Sequence, residues 1–369
     1  MKLKYLVLSD IHLGHNINKT ECIIDNLIKY FDIYSKEFKN LDMIIIAGDT
    51  FDKLLVNSGH DYICSVRWLI DLMLYCKRNN IVLRVLEGTP SHDWKQMKSL
   101  TSIIEKLDLK LDYKYIDTLH IEYIDRFKLN VLYIPDEYRN KASDTYKEVL
   151  KLMKKNKLTQ VDIAVMHGQF NYQLPFELES NHNEQDYLSI VKHYIHIGHV
   201  HTHSVYDRIL AQGSFDRLIH NEEEDKGGML INIDTEQGNT YKFLVNKTAM
   251  IFKTIKFKTE SLEEIIKKLD QELKKLPPRS NIRITSEHEE FLSKNIEDIR
   301  KRYPVLNIKY EKSKVKVKKK SLIDDKIIIN SFNITKDNID SLLKERLSKY
   351  NLSQLEYDIY QEELNKITC

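Results

Sequence analysis

Apolar runs that each end in residues able to bind a metal ion constrain the fold of this chain most strongly. The first two, KYLVLSD and LDMIIIAGD, are continuously apolar through their centres rather than at alternate positions, and the third, NIVLRVLEG, is interrupted only by Arg84. Such runs are typical of strands that are buried on both faces of a sheet. The segments between them, CIIDNLIKYF and YICSVRWLIDLMLYCKR, have helical spacing. This alternation predicts a layered α/β domain.

The rest of the sequence predicts two smaller parts. Further strand-like segments, from LHIEYI to TYKFLVN, extend the first domain over 1–248. Strand and helix patterns then alternate over 249–320, which predicts a small α/β domain with its own core. The tail, 321–369, has apolar residues at helical spacing and no strand pattern, so we predict that it is helical.

Carboxylates and imidazoles follow most strands of the first domain. In open α/β sheets the ligand crevice lies outside the carboxyl ends of the strands, so we expect these side chains to meet at one edge. Two divalent metal ions held there could clamp the attacking and leaving oxygens of a phosphoryl transfer, and this ligand chemistry suits manganese, iron or zinc. The candidate residues are Asp10, His12, Asp49, His92, Asp93, His167, His199 and His201.

Each of these motifs is weak when it is taken alone. An Asp-x-His pair usually marks a turn, a Gly-Asp pair is very common, and HIGHVHTH could be a histidine-rich surface loop. Their order is more specific, because every motif follows a separate apolar strand. The pattern as a whole therefore favours a metal centre over a set of unrelated turns.

This ordered set resembles the calcineurin-like metallophosphoesterases. GDTFDK, and LAQGSFDRL soon after GHVH, are more similar to the SbcD-like double-strand-break-repair nuclease subunits, of phage or bacterial type. The resemblance implies a layered β-sandwich core flanked by helices, which forms the nuclease domain over 1–248. It also implies a capping domain that selects DNA over 249–320, and a helical tail over 321–369 that binds an SbcC-like SMC-type ATPase subunit.

The resemblance also implies a set of metal ligands. Asp49 would bridge two divalent ions, with Mn²⁺ favoured and Mg²⁺, Fe²⁺ or Zn²⁺ as alternatives. The family's Asn ligand falls on Ser91, within an enlarged GTPSHD turn, and Thr89 or water is the alternative ligand there. The first ion would be held by Asp10, His12, Asp49 and His201, and the second by His167 and His199.

The same resemblance assigns catalytic and substrate-binding roles. His92 would stabilise the transition state or protonate the leaving oxygen, and Asp93 would orient its imidazole. Other side chains could contact substrate phosphates. They are His15, Ser214, Arg217 and the lysines Lys314, Lys316 and Lys318. The alternatives are an exposed loop position for His15, an internal ion pair for Arg217 and a solvated edge strand for the lysines.

The function that these expectations imply is a manganese-dependent DNA nuclease. It would act as a 3′–5′ exonuclease and endonuclease on duplex ends and hairpins in DNA repair, recombination and replication, as a homodimer with its ATPase partner. A hydrolase of small or cyclic phosphodiesters is one alternative, and a non-catalytic scaffold is another. The net charge of +2 excludes an overall basic field, so any surface that binds DNA must be local.

The cysteines and the hydropathy favour a cytoplasmic protein, or the host cytoplasm for a phage protein. The four cysteines are scattered without a CxxC pair, which argues against a disulfide framework and against a thiolate zinc site. No apolar stretch approaches the roughly 20 residues that a membrane span needs. We therefore expect a reducing compartment and no membrane segment.

Overall fold

The structure is a computed structural model that describes residues 2–106, 110–136, 139, 141–176, 178–257, 262–286 and 289–312. These residues all belong to one unit of the chain, 1–313. The lysines Lys314, Lys316 and Lys318 and the predicted helical tail lie outside the described residues. Within the described part of the chain, no helix combines the length and the apolar character needed to cross a bilayer.

The first sheet has six strands in the order β12-β11-β1-β2-β3-β4. The four strands β1 to β4 run parallel, and β11 and β12 continue the sheet in antiparallel fashion beyond β1. The strands are β1 (Lys2–Leu8), β2 (Met43–Ala47), β3 (Val82–Leu86), β4 (Tyr113–Ile116), β11 (Gly227–Asp234) and β12 (Thr240–Val245).

The second sheet also has six strands, in the order β5-β6-β7-β8-β10-β9. Its centre, from β6 to β10, is parallel, and each edge strand is antiparallel to its neighbour. The strands are β5 (His120–Ile124), β6 (Leu129–Ile134), β7 (Ile163–Gly168), β8 (Ile195–His199), β9 (Ser204–Tyr206) and β10 (Ile209–Ala211).

The two sheets pack face to face, with helices on both outer faces. Tyr5 and Val7 of β1 lie in one apolar cluster with Val131 and Val165 of the second sheet. Because side chains alternate along a strand, the neighbouring residues of β1 point the other way and pack under helices. The helices are α1 (Thr20–Ile33), α2 (His60–Arg78), α3 (Pro90–Asp93), α4 (Met97–Lys106), α5 (Ala142–Lys155) and α6 (Glu184–Ile190).

This arrangement confirms the predicted α/β class: two large mixed sheets flanked by helices. The continuously apolar runs are explained by the layers, since β1, β2 and β3 are covered by helices on one side and by the second sheet on the other. The short strands β4 and β9 and the helices α4 and α6 were not predicted. They lack a long apolar run or a long helical pattern.

A third, separate sheet follows the sandwich. It contains three parallel strands in the order β13-β14-β15, with its own apolar cluster. Hydrogen bonds from Arg217 to the Met250 carbonyl and from Arg283 to Asn221 join its segment to the sandwich. Its elements are β13 (Phe252–Phe257), α7 (Leu262–Leu273), β14 (Asn281–Ser286), α8 (Glu289–Arg302) and β15 (Asn307–Lys312).

A buried histidine in the sandwich makes stability depend on pH. His196 is fully buried; its Nε2 lies 2.8 Å from the Tyr5 hydroxyl, and its Nδ1 lies 3.0 Å from Gln212 Nε2. Burial lowers the pKa of His196 to about 3, whereas a histidine of the unfolded chain has a pKa of about 6.5. Protons therefore bind the unfolded chain more readily, and stability falls as pH falls from the unfolded pKa towards the folded one.

Because of this histidine, we expect the free energy of unfolding to fall by about 2 kcal/mol as the pH is lowered from about 7.5 to about 5. Urea unfolding of the wild type and of His196→Gln at both pH values measures the effect. The variant should lose less stability on acidification by about that amount, whatever its stability at neutral pH. Equal losses in the two proteins would show that His196 is not responsible.

Candidate metal centre

The ligand residues all lie at the carboxyl ends of strands from both sheets. Asp10 and Asp49 each stand two residues beyond the ends of β1 and β2, and His167 and His199 lie at the ends of β7 and β8. Asp10, His12, Asp49 and His199 have positive φ angles of 50°, 56°, 49° and 99°. These left-handed bends are uncommon in residues other than glycine and cluster at functional sites. They explain how Asp10 and His12, two apart in sequence, turn towards one place.

Two glycines allow the strand ends to approach closely. A Cβ on Gly198 would lie 2.4 Å from the Ala47 carbonyl oxygen, so β8 can meet β2 only without a side chain there. Gly48 has a φ of +90°, and a Cβ on it would lie 2.1 Å from His167 Nδ1. The two sheets therefore converge at this edge because these positions carry no side chain.

One group of ligands contains Asp10, His12 and His201, whose ligand atoms all lie within 4.8 Å of one another. The Nε2 atoms of His12 and His201 are 3.1 Å apart. His201 Nε2 is also 3.9 Å from Asp10 Oδ1. The structure thus brings together three of the four residues expected to hold the first ion.

A second group contains Asp49, His167 and His199. His167 Nε2 lies 3.2 Å from Asp49 Oδ1, while His12 Nε2 lies 3.7 Å from Asp49 Oδ2. One carboxylate oxygen therefore faces each ligand group. This position fits the bridging role expected for Asp49.

Thr89, rather than Ser91, lies among the ligands of the second group. The Thr89 hydroxyl is 3.2 Å from Asp49 Oδ2, 3.3 Å from His199 Nδ1 and 3.4 Å from His167 Nε2. Ser91, two residues further along the chain, is exposed to solvent. The structure therefore supports the alternative ligand at this turn, because the enlarged loop places its first hydroxyl, and not its second, above the strand end.

The expected pairing of His92 with Asp93 is not present. The two oxygens of Asp93 accept hydrogen bonds from the backbone N–H groups of Phe51 and Gly88, both at 2.8 Å. His92 Nδ1 instead lies 2.9 Å from Asp49 Oδ2. Adjacent residues of the short helix α3 point in different directions, so Asp93 fixes the loops from inside while His92 faces the ligands. Asp93 has a structural role.

A carboxylate and a backbone carbonyl orient ligand imidazoles. His201 Nδ1 is 2.9 Å from Glu222 Oε1. His167 Nδ1 donates to the Ala47 carbonyl at 2.8 Å. These hydrogen bonds fix the tautomers of His201 and His167 and leave the Nε2 lone pairs for a metal ion. His12 Nδ1 is 3.2 Å from Asp52 Oδ1, but the contact lacks the alignment of a hydrogen bond.

Two carboxylates of this site were missed in the sequence. Glu222 follows no strand, so only the fold brings it to His201. Asp136 stands two residues after β6, as Asp10 and Asp49 do after their strands, and this spacing could have identified it. Burial raises the pKa of Asp136, against the opposing charges of His167 and His199 nearby.

The electrostatics of the centre favour a cation. Burial alone would raise the pKa of Asp49, but His167, His92 and His12 outweigh it and hold that pKa well below its usual value. Burial alone would lower the pKa of His167, yet Asp49 and the other carboxylates raise it to about 10. In the absence of a metal, a proton on His167 thus balances the buried charge of Asp49. A divalent ion would replace that proton, so its affinity should fall as pH falls.

Two of the side chains expected to contact substrate phosphates make hydrogen bonds within the protein. His15 Nδ1 accepts the backbone N–H groups of Ile17 and Asn18 at 3.3 and 3.1 Å, which shapes the loop after His12. Buried Ser214 donates to the Asp216 carbonyl at 2.9 Å. Lys314, Lys316 and Lys318 lie outside the described residues.

Arg217 makes internal hydrogen bonds, but to backbone carbonyls and not in the ion pair that was the alternative for it. Its guanidinium donates to the carbonyls of Glu224, Glu223 and Met250 at 3.1 to 3.4 Å. These bonds fix the turn before β11 and the approach to β13. They occupy three of the five N–H donors of the guanidinium.

Removing the charge of Glu222 should weaken metal binding at this centre. Burial raises the pKa of Glu222, but the hydrogen bond from His201, the charge of Lys226 and the Leu218 N–H lower it to about 2, so Glu222 is an anion at neutral pH. We expect Glu222→Gln to reduce Mn²⁺ affinity by about 10–100-fold in calorimetric titrations. Glu223→Gln, at an exposed neighbour, is the matched control and should bind Mn²⁺ like the wild type. Equal affinities in the two variants would contradict the orienting role.

The comparisons with known proteins do not identify a function for this centre. No family model matches the chain, and no curated protein matches it. Among the solved structures, one has 13% sequence identity and a TM-score of 0.39, and the match covers 66% of this chain and 100% of that one. A similarity of that size supports no argument about function.

Proposed function

We propose that this chain is a metal-dependent phosphodiester hydrolase with a calcineurin-like metallophosphoesterase core. The observation that supports this most is the position of Asp49 between two ligand groups built from separate strands. One group contains Asp10, His12 and His201, and the other contains His167 and His199. A carboxylate shared between two sets of ligands is what a pair of divalent ions requires.

The residues present fit such ions. His12 and His201 point their Nε2 atoms at each other across 3.1 Å, and the Nδ1 atom of each lies against a carboxylate. If both Nδ1 atoms carry the proton, two lone pairs face each other, and only a shared proton or a cation makes that contact favourable. Oxygen and imidazole donors without thiolate suit Mn²⁺, with Mg²⁺, Fe²⁺ or Zn²⁺ as alternatives.

The metal ions and the protein would contribute different parts of the hydrolysis reaction. When bound, two divalent ions would neutralise charge on the phosphate and activate a water for in-line attack. His92 holds a proton for the leaving oxygen: its Nδ1 lies 2.9 Å from Asp49, its side chain is 36% exposed, and its Nε2 remains for the substrate. The hydrogen bond to Asp49 raises the pKa of His92 above its usual value, against the opposing effect of burial. That favours the protonated form a general acid needs.

We further propose that the substrate is DNA and that the chain is an SbcD-like nuclease subunit. GDTFDK and LAQGSFDRL support this, as does the small α/β sheet that follows the sandwich where a capping domain is expected. Cleavage would be 3′–5′ exonucleolytic and endonucleolytic, in repair and recombination. An SbcC-like ATPase subunit and a second copy of the chain are the proposed partners.

End-labelled duplex DNA and a small aryl phosphodiester, each with Mn²⁺, test this proposal. We expect cleavage of both by the purified chain, and faster degradation of duplex ends when the ATPase subunit is added. Turnover of the small diester with intact DNA would favour the alternative of a small phosphodiester hydrolase. Bound Mn²⁺ without turnover of either substrate would favour a scaffold.

A further inference from the structure

A second cluster of metal-binding side chains lies on the outer helical layer, between the first turns of α1 and α2. Glu21 is in the first turn of α1, and His60 is the first residue of α2. Cys64 follows His60 by four residues, so both lie on one face of α2. The two helices pack against each other, which brings Glu21 to that face.

The three side chains converge on one place. His60 Nε2 lies 2.6 Å from Glu21 Oε1 and 3.5 Å from Cys64 Sγ. All three ligand atoms lie within 4.8 Å of one another. Zinc bonds of about 2.0–2.3 Å in a tetrahedral site separate the ligand atoms by roughly 3–4 Å. The imidazole and the thiol already have that separation, and the exposed Glu21 need only move back slightly.

An ordinary ion pair is the simpler explanation for part of this cluster. A protonated His60 beside Glu21 accounts for their contact, but it gives no reason for a thiol on the same side of the imidazole. The thiol also lies near two carboxylates, those of Glu21 and Asp61, with the positive charge of Arg67 opposing them.

We propose that Glu21, His60 and Cys64 bind a zinc-type divalent cation that joins α1 to α2. The three donor types are the ones that zinc takes in proteins, and three protein ligands leave a fourth position for water. Each helix begins after a loop that carries ligands of the candidate metal centre at the strand ends, called the strand-edge centre below. The loop before α1 carries Asp10 and His12, and the loop before α2 carries Asp49. The ion would therefore hold together the two segments that follow those loops. The inference does not depend on the proposed nuclease function.

Cobalt(II) titration of the full chain tests this site separately from the strand-edge centre. A thiolate bound to Co²⁺ gives a charge-transfer band in the near ultraviolet, and the three groups of possible ligands at the strand ends contain no cysteine. We expect the band to appear and saturate at one ion per chain for this site. It should be lost in Cys64→Ser and in His60→Ala, and it should persist in Asp49→Asn.

Cys22→Ser is the matched control, because Cys22 lies next to Glu21 on α1 and its sulfur accepts a hydrogen bond from Arg279. This variant should keep the band. Zn²⁺ should also raise the melting temperature of the Asp49→Asn protein, and the increase should disappear when Cys64→Ser is added. A band that is absent from the wild type, or that depends on Cys22 instead of Cys64, would overturn the proposal.

Discussion

Asp49→Asn is expected to abolish tight binding of the metal pair and to reduce phosphodiester hydrolysis by about 10³-fold or more, because the ions supply several kcal/mol of transition-state stabilisation. Asp49 is buried, and its two oxygens face the two ligand groups, at 3.2 Å from His167 and 3.7 Å from His12. An amide offers one oxygen and no charge, so it cannot serve both groups. Metal analysis after dialysis and the cleavage rate of labelled duplex DNA measure the two effects.

Asp216→Asn is the control for a general loss of stability. Asp216 is also buried, and it accepts hydrogen bonds from Asn26 and the Met250 N–H, neither of which is a candidate ligand. This variant should unfold more easily than the wild type yet keep its metal ions. A full complement of ions in Asp49→Asn would rule out the bridging position.

His92→Asn should separate catalysis from metal binding. His92 contacts Asp49 through Nδ1 and forms a third set of possible ligands with His12 and Asp49, but it lies outside the Asp10–His12–His201 and Asp49–His167–His199 groups. If it donates a proton to the leaving oxygen, its loss should lower the maximal rate by about 10²–10⁴-fold. The affinity for Mn²⁺ should change little, and the alkaline limb of the pH–rate profile should disappear. Steady-state kinetics over a range of pH, with parallel calorimetry, measure these quantities.

His120→Asn provides the matched control, since His120 is a half-buried histidine on β5 that contacts Lys114 outside the site. It should leave the rate and the pH profile unchanged. A His92→Asn protein that cleaves DNA at the wild-type rate would refute the proton-donor role. One that loses its metal ions would instead make His92 a ligand.

Residue pattern alone predicted the longer strands, although not β4 and β9, and the types of residue at their ends. Continuous apolar runs have few structural solutions, because only a strand covered on both faces, or a buried helix, removes so much apolar surface from water. The position of Asp10, Asp49 and His167 at strand ends then follows from chain connectivity. These relations are local, which is why a single sequence contains them.

The same pattern was misleading where neighbours in the chain are not neighbours in space. His92 and Asp93 are adjacent, yet the carboxylate beside His92 belongs to Asp49, 43 residues away. Within the turn after β3, the resemblance favoured Ser91 and left Thr89 or water as the alternative, and the loop conformation brings Thr89 to the ligands. Hydrogen-bond partners within a loop depend on its backbone angles, which residue types do not specify.

The sequence by itself determined the class of fold, the succession of most strands and helices along the chain and the donor chemistry at one edge, because these depend on the polarity and spacing of nearby residues. Only the tertiary structure decided which donors share an ion, that Glu222 orients His201, and that Glu21 meets His60 and Cys64 across two helices. The absence of a CxxC pair argued against a thiolate site, but helix packing can assemble one from distant residues. Such contacts form when layers pack, and packing joins residues that no local pattern relates.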